Sequence, residues 1–338
     1  MNTYKKLFLH APNVHVGGGL TLLQAFYSSP ELNLYLEQLD VRAQKLLPPA
    51  RGFRFYVRPT FFSRIAAEFR LWRLVARNDV VLCFHGLVPL LPLKGEVTVF
   101  LQNRILLSRA SLQNYSFKTR VRLTVERLVV KLLASRVKKF IVQTPSMAEQ
   151  ARFFLGPKVD IVVCPFVVPV HLVNEEVDKR YDFVYVASAE YHKNHHKLLE
   201  AWCLLAEQGL RPSLALTVPQ GSDLAILIEQ LSEQWQLNVV NHGQLNYSEV
   251  SVLYDQAAAL IYPSTTESLG LPLIEASERR LPIVAAELDY VRDIVEPVET
   301  FDPASHVSIA RAVKRYLGVI ETPQPMHGPE VFLEEVLR

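Results

Sequence analysis

The chain has 338 residues, 49% hydrophobic and 21% charged, enough apolar material for about two domains and too little polar excess for a disordered chain. Cys83, Cys164 and Cys203 are widely spaced and form no Cys-x-x-Cys pair, which argues against a disulfide framework or a structural zinc site and points to a reducing compartment, the cytoplasm. The formal charge of +2 hides an asymmetry, because residues 1–165 carry 24 Lys and Arg against 9 Asp and Glu, and residues 166–338 carry 12 against 25. A basic half attracts polyanions such as phosphorylated substrates or an anionic leaflet, and halves of opposite sign also attract each other across a cleft. No nucleic-acid recognition motif accompanies the basic half, so nucleic acid is not an expected partner. The apolar run before His10 is too short for a signal-peptide core, and no stretch approaches the roughly 18 apolar residues of a spanning helix.

In chain order, short β-branched runs alternate with longer helical patterns, the signature of parallel α/β layers. KLFLHA (6–11) reads as a strand, Gly17–Gly19 as a loop, and LTLLQAFYSS as a helix. Further strands are expected at 79–84, 97–102, 139–144 and 159–166, with a long basic helix over about 110–136. The polar, acidic stretch 171–181 reads as a linker between an N-terminal domain, 1–170, and a second domain, 182–320. The second series predicts strands at DFVYVAS, SLALTV, LNVVNHG, ALIYPS and PIVAA. Between them fall helices at HKLLEAWCLLAEQG, DLAILIEQLSEQ, SEVSVLYDQA (capped by Ser248) and PLIEASERR, with HVSIARAVKRYLGVI last. A tail with a short helix, 321–338, follows. The expected architecture is two Rossmann-like, doubly wound domains facing each other across a cleft lined by strand carboxyl ends.

The chemistry concentrates in IYPSTTESLGLPLIEASE (261–278). A strand ends at Pro263, a polar loop follows, and a helix opens near Gly270–Pro272, with proline tolerated at a first helical position. Free amides of Leu269, Gly270 and Leu271 then point out of the helix start, an anion site suited to a diphosphate. Glu267 precedes that site and Glu275 follows it. At about 1.5 Å per helical residue, the two carboxylates flank the diphosphate site, which suits a nucleotide sugar.

TESLGLPLIEA resembles the paired-glutamate motif of retaining nucleotide-sugar glycosyltransferases of family 4, whose fold is GT-B, and its flanks are similar to those of bacterial enzymes that build O-antigen or other surface polysaccharide. The resemblance covers most of the second domain and extends more weakly to GGGLTLLQAF, VFLQNR and FIVQTPSM in the first. It implies that Glu267 holds hydroxyls of the transferred sugar and Glu275 the ribose. Backbone amides near Leu269 and Gly270 would hold the distal phosphate, with Ser268 and Leu271 also on the donor side. In SAEYHKNHHKLLEAW, Lys193 matches the lysine that neutralises the diphosphate. The family often has a second cation beside it, and here the neighbour is His192, with His195 and His196 beyond. In the first domain it places Gly17, Gly18 and Gly19 against donor phosphates or acceptor and His85 near the transferred sugar. Gln102, Asn103 and Arg104 end a strand facing the same cleft and are acceptor-side candidates.

The implied function is a retaining, metal-independent hexosyltransferase, with mannose suggested by the look of the motif, drawing on a GDP- or UDP-linked donor and a lipid-linked or lipopolysaccharide glycan acceptor. No cofactor and no metal is called for. Alternatives on the same fold are a nucleotide-sugar epimerase or phosphorylase, and a non-catalytic donor-binding subunit is a third. Two basic stretches, 51–77 with seven arginines and 117–140 with eight cations, have the character of amphipathic helices for an anionic leaflet. Phe61, Ile65, Phe69 and Trp72 share one face of the first. The chain is therefore expected in the cytoplasm, peripheral on the inner face of the plasma membrane, unless these apolar stripes pack on the sheet instead.

Overall fold

A computed structural model describes residues 5–84, 86–107, 113, 115–166 and 178–319, together with positions 329, 335 and 337. His85, most of the linker and nearly all of the tail lie outside the described residues. Two parallel sheets organise the rest.

The first sheet contains β1 (Leu7–Ala11), β2 (Leu36–Asp40), β3 (Phe53–Val57), β4 (Val80–Phe84), β5 (Glu96–Phe100), β6 (Lys139–Val142) and β7 (Ile161–Val163), in the order β3-β2-β1-β4-β5-β6-β7. The second contains β8 (Tyr181–Tyr185), β9 (Leu214–Leu216), β10 (Val239–Asn241), β11 (Ala257–Tyr262), β12 (Ile283–Ala286) and β13 (Glu299–Phe301), in the order β10-β9-β8-β11-β12-β13. In each sheet the strand order reverses beside the first strand. That reversal opens a crevice at the carboxyl ends, where open α/β sheets bind ligands.

The helices of the first domain are α1 (Gly17–Ser28), α2 (Phe61–Leu74), α3 (Phe117–Leu133) and α4 (Pro145–Leu155). Those of the second are α5 (His195–Glu207), α6 (Asp223–Trp235), α7 (Tyr247–Asp255), α8 (Leu271–Glu278), α9 (Asp289–Arg292) and α10 (His306–Tyr316). Each domain has its own core. Phe8, Val99, Phe140 and Met147 anchor one face of the first sheet, Leu9, Leu23 and Phe84 the other, and Phe183, Trp202, Leu260 and Val313 lie within the core of the second domain. Covered on both faces, central strands such as β1, β4, β5, β8, β11 and β12 read as largely apolar runs, which is why they were legible.

Two expectations need correction, two strands were not expected, and one alternative is decided. Gly17–Gly19 are not a loop but the first turn of α1, which lets the helix start close against its neighbours: a Cβ on Gly19 would meet Gln102 Oε1 at 3.2 Å and one on Gly18 would meet Leu271 Cδ1 at 3.3 Å. Ser248 does not cap α7. Asn246 does, in a capping box with Glu249, and Ser248 donates to the Asn246 carboxamide instead. The strands β2 and β3 were not anticipated. In β2, LEQLD, every residue is buried although three are polar: Glu37 accepts from Tyr27, from Arg54 and from the amides of Arg51 and Gly52, Gln38 donates to the Ala67 carbonyl, and Asp40 holds Arg42. Finally, the apolar stripe of α2 does not pack on the sheet. Phe61, Ile65, Phe69 and Trp72 are exposed while Ala67, Glu68 and Leu71 face inward.

Candidate active site

A cleft of about 600 Å³ runs between the two domains at the carboxyl ends of both sheets. Each of its polar walls is a segment that follows a strand. Gly17–Gly19 follow β1, Gln102 follows β5, Gln143 follows β6, Ser188, Glu190 and Lys193 follow β8, Thr217 follows β9, and Glu267–Leu271 follow β11. From the second domain, Leu271 reaches across to pack on the core of the first. The domains also meet where the amide of Ser146, in the first turn of α4, donates to Asp293 Oδ2 at 2.9 Å, a carboxylate placed at a helix start of the other domain.

The segment after β8 makes a short turn, Tyr191–Lys193, and enters α5 through Asn194 in the left-handed region, φ 63°. Asn194 tolerates that backbone better than most residues, and its side-chain amide donates to the carbonyls of Pro263 and Pro303. The loop after β11 is stapled to this turn, because the His192 carbonyl accepts from the Thr265 amide at 2.8 Å and from Ser264 Oγ. Two buried tyrosines complete the frame. Tyr185 donates to the Lys193 carbonyl at 2.7 Å, and Tyr290 to the Ser264 carbonyl at 2.6 Å.

Within that frame Lys193 Nζ lies 2.6 Å from Glu267 Oε1, and Ser264 Oγ donates to the same oxygen. Burial raises the Glu267 carboxyl, but Lys193, His192 and the Ser264 hydroxyl outweigh it and hold the group below its ordinary range. The carboxylate is therefore ionised at neutral pH. Glu275, one turn into α8, behaves in the opposite way: burial raises its carboxyl, opposed by the hydrogen bond it accepts from Tyr254 at 2.9 Å. Gly270 caps α8 in the left-handed region, φ 71°, and Leu271 and Pro272 form the first helical positions, with no side chain capping the helix start. Pro272 is thus second in the helix, where its missing N–H again costs no hydrogen bond. A Cβ at Gly270 would come within 3.1 Å of Leu273 and 3.4 Å of the Tyr262 hydroxyl.

Of the residues expected from the sequence, the cleft brings together Glu267, Lys193, Glu275, Ser268, Leu269, Gly270, Leu271, Gly17, Gly18, Gly19 and Gln102. Three others are directed elsewhere. His192 contributes its carbonyl to the staple, and burial followed by the neighbouring Lys193 lowers its imidazole, which disfavours a second cation there. Asn103 accepts from the Ile105 amide and caps its own turn. Arg104 bonds Gln150 and Ser146 and stands 6.0 Å from the Tyr290 ring at the domain interface. His195 is a core residue, packed against the Tyr185 ring at a tilt of 45° and bonded to the Ser188 carbonyl.

Sequence reasoning missed Gln143, Tyr262, Thr217 and Tyr247 as cleft residues. Gln102 Nε2, Gln143 Oε1 and the Tyr262 hydroxyl are buried without a hydrogen-bond partner among the described residues, an arrangement that costs free energy unless a ligand answers it. The polar Gln-Thr pair ending an otherwise apolar FIVQT was the available signal.

Two facing Rossmann-like domains with this cleft are the GT-B architecture. Residues 171–324 match the family described as glycosyl transferases group 1. Over 142 residues the chain is 32% identical to the serotype-specific mannosyltransferase WbdA of Escherichia coli, a match that covers 41% of this chain and 17% of that protein. It is 25% identical over 124 residues to the O-antigen chain mannosyltransferase RfbU of Salmonella typhimurium, covering 36% of this chain and 34% of that one. The match thus spans only a minor part of either relative's length. Among solved structures, HepE of Anabaena in complex with UDP and glucose superposes with a TM-score of 0.70 at 14% identity, over 93% of this chain and 90% of that one.

Proposed function

We propose that the chain transfers one hexose from a nucleotide-sugar donor to a glycan acceptor of the O-antigen or lipopolysaccharide type. The observation that carries this reading is the convergence on a single interdomain cleft of the Lys193–Glu267 pair, Glu275 and the open start of α8 at Gly270. The donor diphosphate lies at that helix start, where the dipole and unpaired amides favour an anion. Glu275, oriented by the hydrogen bond from buried Tyr254, holds the ribose.

On donor binding Lys193 turns from Glu267 to the diphosphate, and Glu267 accepts hydroxyls of the sugar. The acceptor oxygen then attacks the anomeric carbon as its bond to the phosphate oxygen breaks, and the proton passes to that phosphate oxygen on the same face, so that configuration is retained. Charge growing on the leaving group meets preorganised positive potential from Lys193 and α8, and this reading assigns that role to them and not to a metal ion. The cleft between the domains excludes water from the reacting atoms.

The names of the two mannosyltransferases support a mannosyl donor, and the neighbour bound to UDP and glucose supports a nucleotide-sugar site in this cleft. The exposed apolar faces of α2 and α3, on basic helices, support docking on an anionic leaflet; no helix among the described residues is long and apolar enough to cross a membrane. The test is a panel of GDP- and UDP-sugars scored by thermal shift and by nucleoside-diphosphate release with and without acceptor. Acceptor-dependent release supports transfer. Conversion of a donor without acceptor would make the chain an epimerase, and binding without turnover a donor-binding subunit.

A further inference from the structure

Two of the unanswered polar atoms in the cleft belong together. Phe100 pairs with Ile141 in the parallel ladder between β5 and β6, and the Leu101 amide donates to the Ile141 carbonyl at 2.9 Å. Two positions on, the same register sets Gln102 beside Gln143, on strands about 4.8 Å apart. Side chains alternate along a strand, so both glutamines leave on the face that carries Phe100 and Ile141, the α1 side of the sheet. The contact of Gln102 agrees: its Oε1 lies 3.2 Å from where a Cβ on Gly19 would stand. The space left by Gly19 is thus the seat of the Gln102 amide.

Gln143 is 2% exposed, and its Oε1 is buried without a hydrogen bond, as is the Nε2 of Gln102. One atom accepts and the other donates, yet they do not bond each other. A buried polar group without a partner is costly, and the ligand that answers this pair must accept from Nε2 and donate to Oε1. An ionised phosphate has no donor for Gln143, and an ammonium has no acceptor for Gln102. Neighbouring hydroxyls of a sugar offer one of each.

Across the cleft the pair faces the loop of the second domain that carries Glu267. On one side of the pair a Cβ on Gly18 would stand 3.3 Å from Leu271. On the other, Arg104 stands 6.0 Å from the ring of Tyr290, which donates to the Ser264 carbonyl, and the Ser146 amide donates to Asp293. Glu267 lies between Ser264 and Leu271 in the chain, so a ring held by Glu267 presents its far edge to the two glutamines. The third unanswered group, the Tyr262 hydroxyl, lies on the opposite wall beside Gly270 and is not part of this pair.

The geometry points to Gln102 and Gln143 as the groups that select the transferred hexose from the first domain. Gln102 Nε2 donates to one hydroxyl and Gln143 Oε1 accepts from its neighbour, on the ring edge opposite Glu267. This assignment rests on the transferase reading and adds to it the class of donor: a hexose whose two adjacent hydroxyls on that edge are free. A donor lacking either hydroxyl is rejected, because a buried amide is then left unpaired. Gln102 moves from the acceptor side to the transferred sugar. Donor recognition also becomes sensitive to closure of the cleft, since the sugar is gripped from both domains at once.

The test is calorimetric titration of the full chain, without acceptor, by GDP, UDP, GDP-mannose, UDP-glucose and UDP-galactose. Gln102→Leu and Gln143→Leu should each weaken the nucleotide sugar that binds about five- to tenfold, the range for one neutral hydrogen bond, and leave its nucleoside diphosphate unchanged. Monodeoxy versions of that donor locate the hydroxyls. Removing either of two adjacent ones should cost a similar factor in the unaltered chain and nothing further in the Gln102→Leu, Gln143→Leu double variant. Urea unfolding without ligand should find the double variant no less stable, since the two buried atoms it removes have no partner among the described residues. Should the double variant fail to fold, Gly19→Ala serves instead, because its Cβ displaces the Gln102 amide while favouring α1. It should weaken the nucleotide sugar by up to the same factor and spare the nucleoside diphosphate. Unchanged nucleotide-sugar affinity in the variants would overturn the assignment and leave water as the partner of the amides. Weakened nucleoside-diphosphate binding would overturn it in favour of the base, and a raised acceptor KM with donor affinity intact in favour of the acceptor. Binding of none of the five compounds would overturn the donor reading itself, a result distinct from all of these.

Discussion

Lys193 and Glu267 form a 2.6 Å ion pair across two loops that are 74 residues apart in sequence and nearly buried together. The pair is held from behind by hydrogen bonds to the backbone of both loops, from Tyr185 to Lys193 and from Tyr290 to Ser264. Its charge is thus positioned before any donor arrives. Lys193→Ala should lower kcat about 10²–10³-fold, the cost of losing one preorganised donor at a leaving group. It should also destabilise the fold by about 3–5 kcal/mol, since the buried Glu267 loses its counter-charge. Glu267→Gln should reduce turnover comparably with a smaller loss of stability. Steady-state kinetics and urea unfolding on the same preparations separate the two effects; a Lys193→Ala enzyme with unchanged kcat would remove Lys193 from the mechanism.

Glu275 should act on binding and not on the chemical step. Glu275→Gln is expected to weaken nucleoside-diphosphate affinity by about 1.5–3 kcal/mol, the range for hydrogen bonds to a charged group, with kcat little altered at saturating donor. Because burial raises this carboxyl, affinity should fall as the pH drops through the raised value, and this pH dependence should vanish in the Gln variant. Tyr254→Phe should reproduce part of the loss. Calorimetric titration across pH is the measurement.

Two buried imidazoles predict acid sensitivity. Burial lowers both His10 and His195 to about 4, against an ordinary value of 6.5. Each stays neutral in the fold while its unfolded form protonates, so unfolding takes up protons between these values. The stability they contribute is complete above pH 6.5 and is lost as the pH falls toward 4, at about 1.4 kcal/mol per pH unit for each group. Urea midpoints at pH 7, 6 and 5 should fall progressively. His195→Gln should roughly halve the slope, and an unchanged slope would argue that these histidines are not neutral in the core.

Gly18 measures how closely the domains must approach. Its missing Cβ leaves 3.3 Å to the tip of Leu271 in the other domain. Gly18→Leu should keep both cores folded, since the position is at their margin, but wedge the domains apart. Small-angle scattering should show a larger radius of gyration, and kcat should fall more than the affinity for nucleoside diphosphate alone. A variant as compact as the unaltered chain would mean that Leu271 simply moves aside.

Most of the second domain was legible before any coordinates. Its strands are apolar because both faces of a parallel sheet are covered, and its paired glutamates stand at fixed spacing around a glycine that must take a positive φ. The first domain was less so. LEQLD does not read as a strand, since its Glu, Gln and Asp acquire a reason to be buried only when Tyr27, Arg54 and the Ala67 carbonyl converge on them. Arg104 illustrates the converse: its place at a strand end suggested the acceptor, yet the partner domain brings Tyr290 and Asp293 near it and turns it to the interface.

The residue order by itself determined the alternation of strand and helix, the opposite charge of the two halves, and the motif with glutamates at 267 and 275, because these depend on periodicity, composition and local backbone demands. Only the tertiary structure decided which cation meets Glu267, that Gln143 and Tyr262 join the cleft with unanswered polar atoms, and that the aromatic stripe of α2 faces outward. Those outcomes depend on contacts between segments far apart in the chain, and no local pattern records which distant group will arrive to neutralise a charge or cover a face.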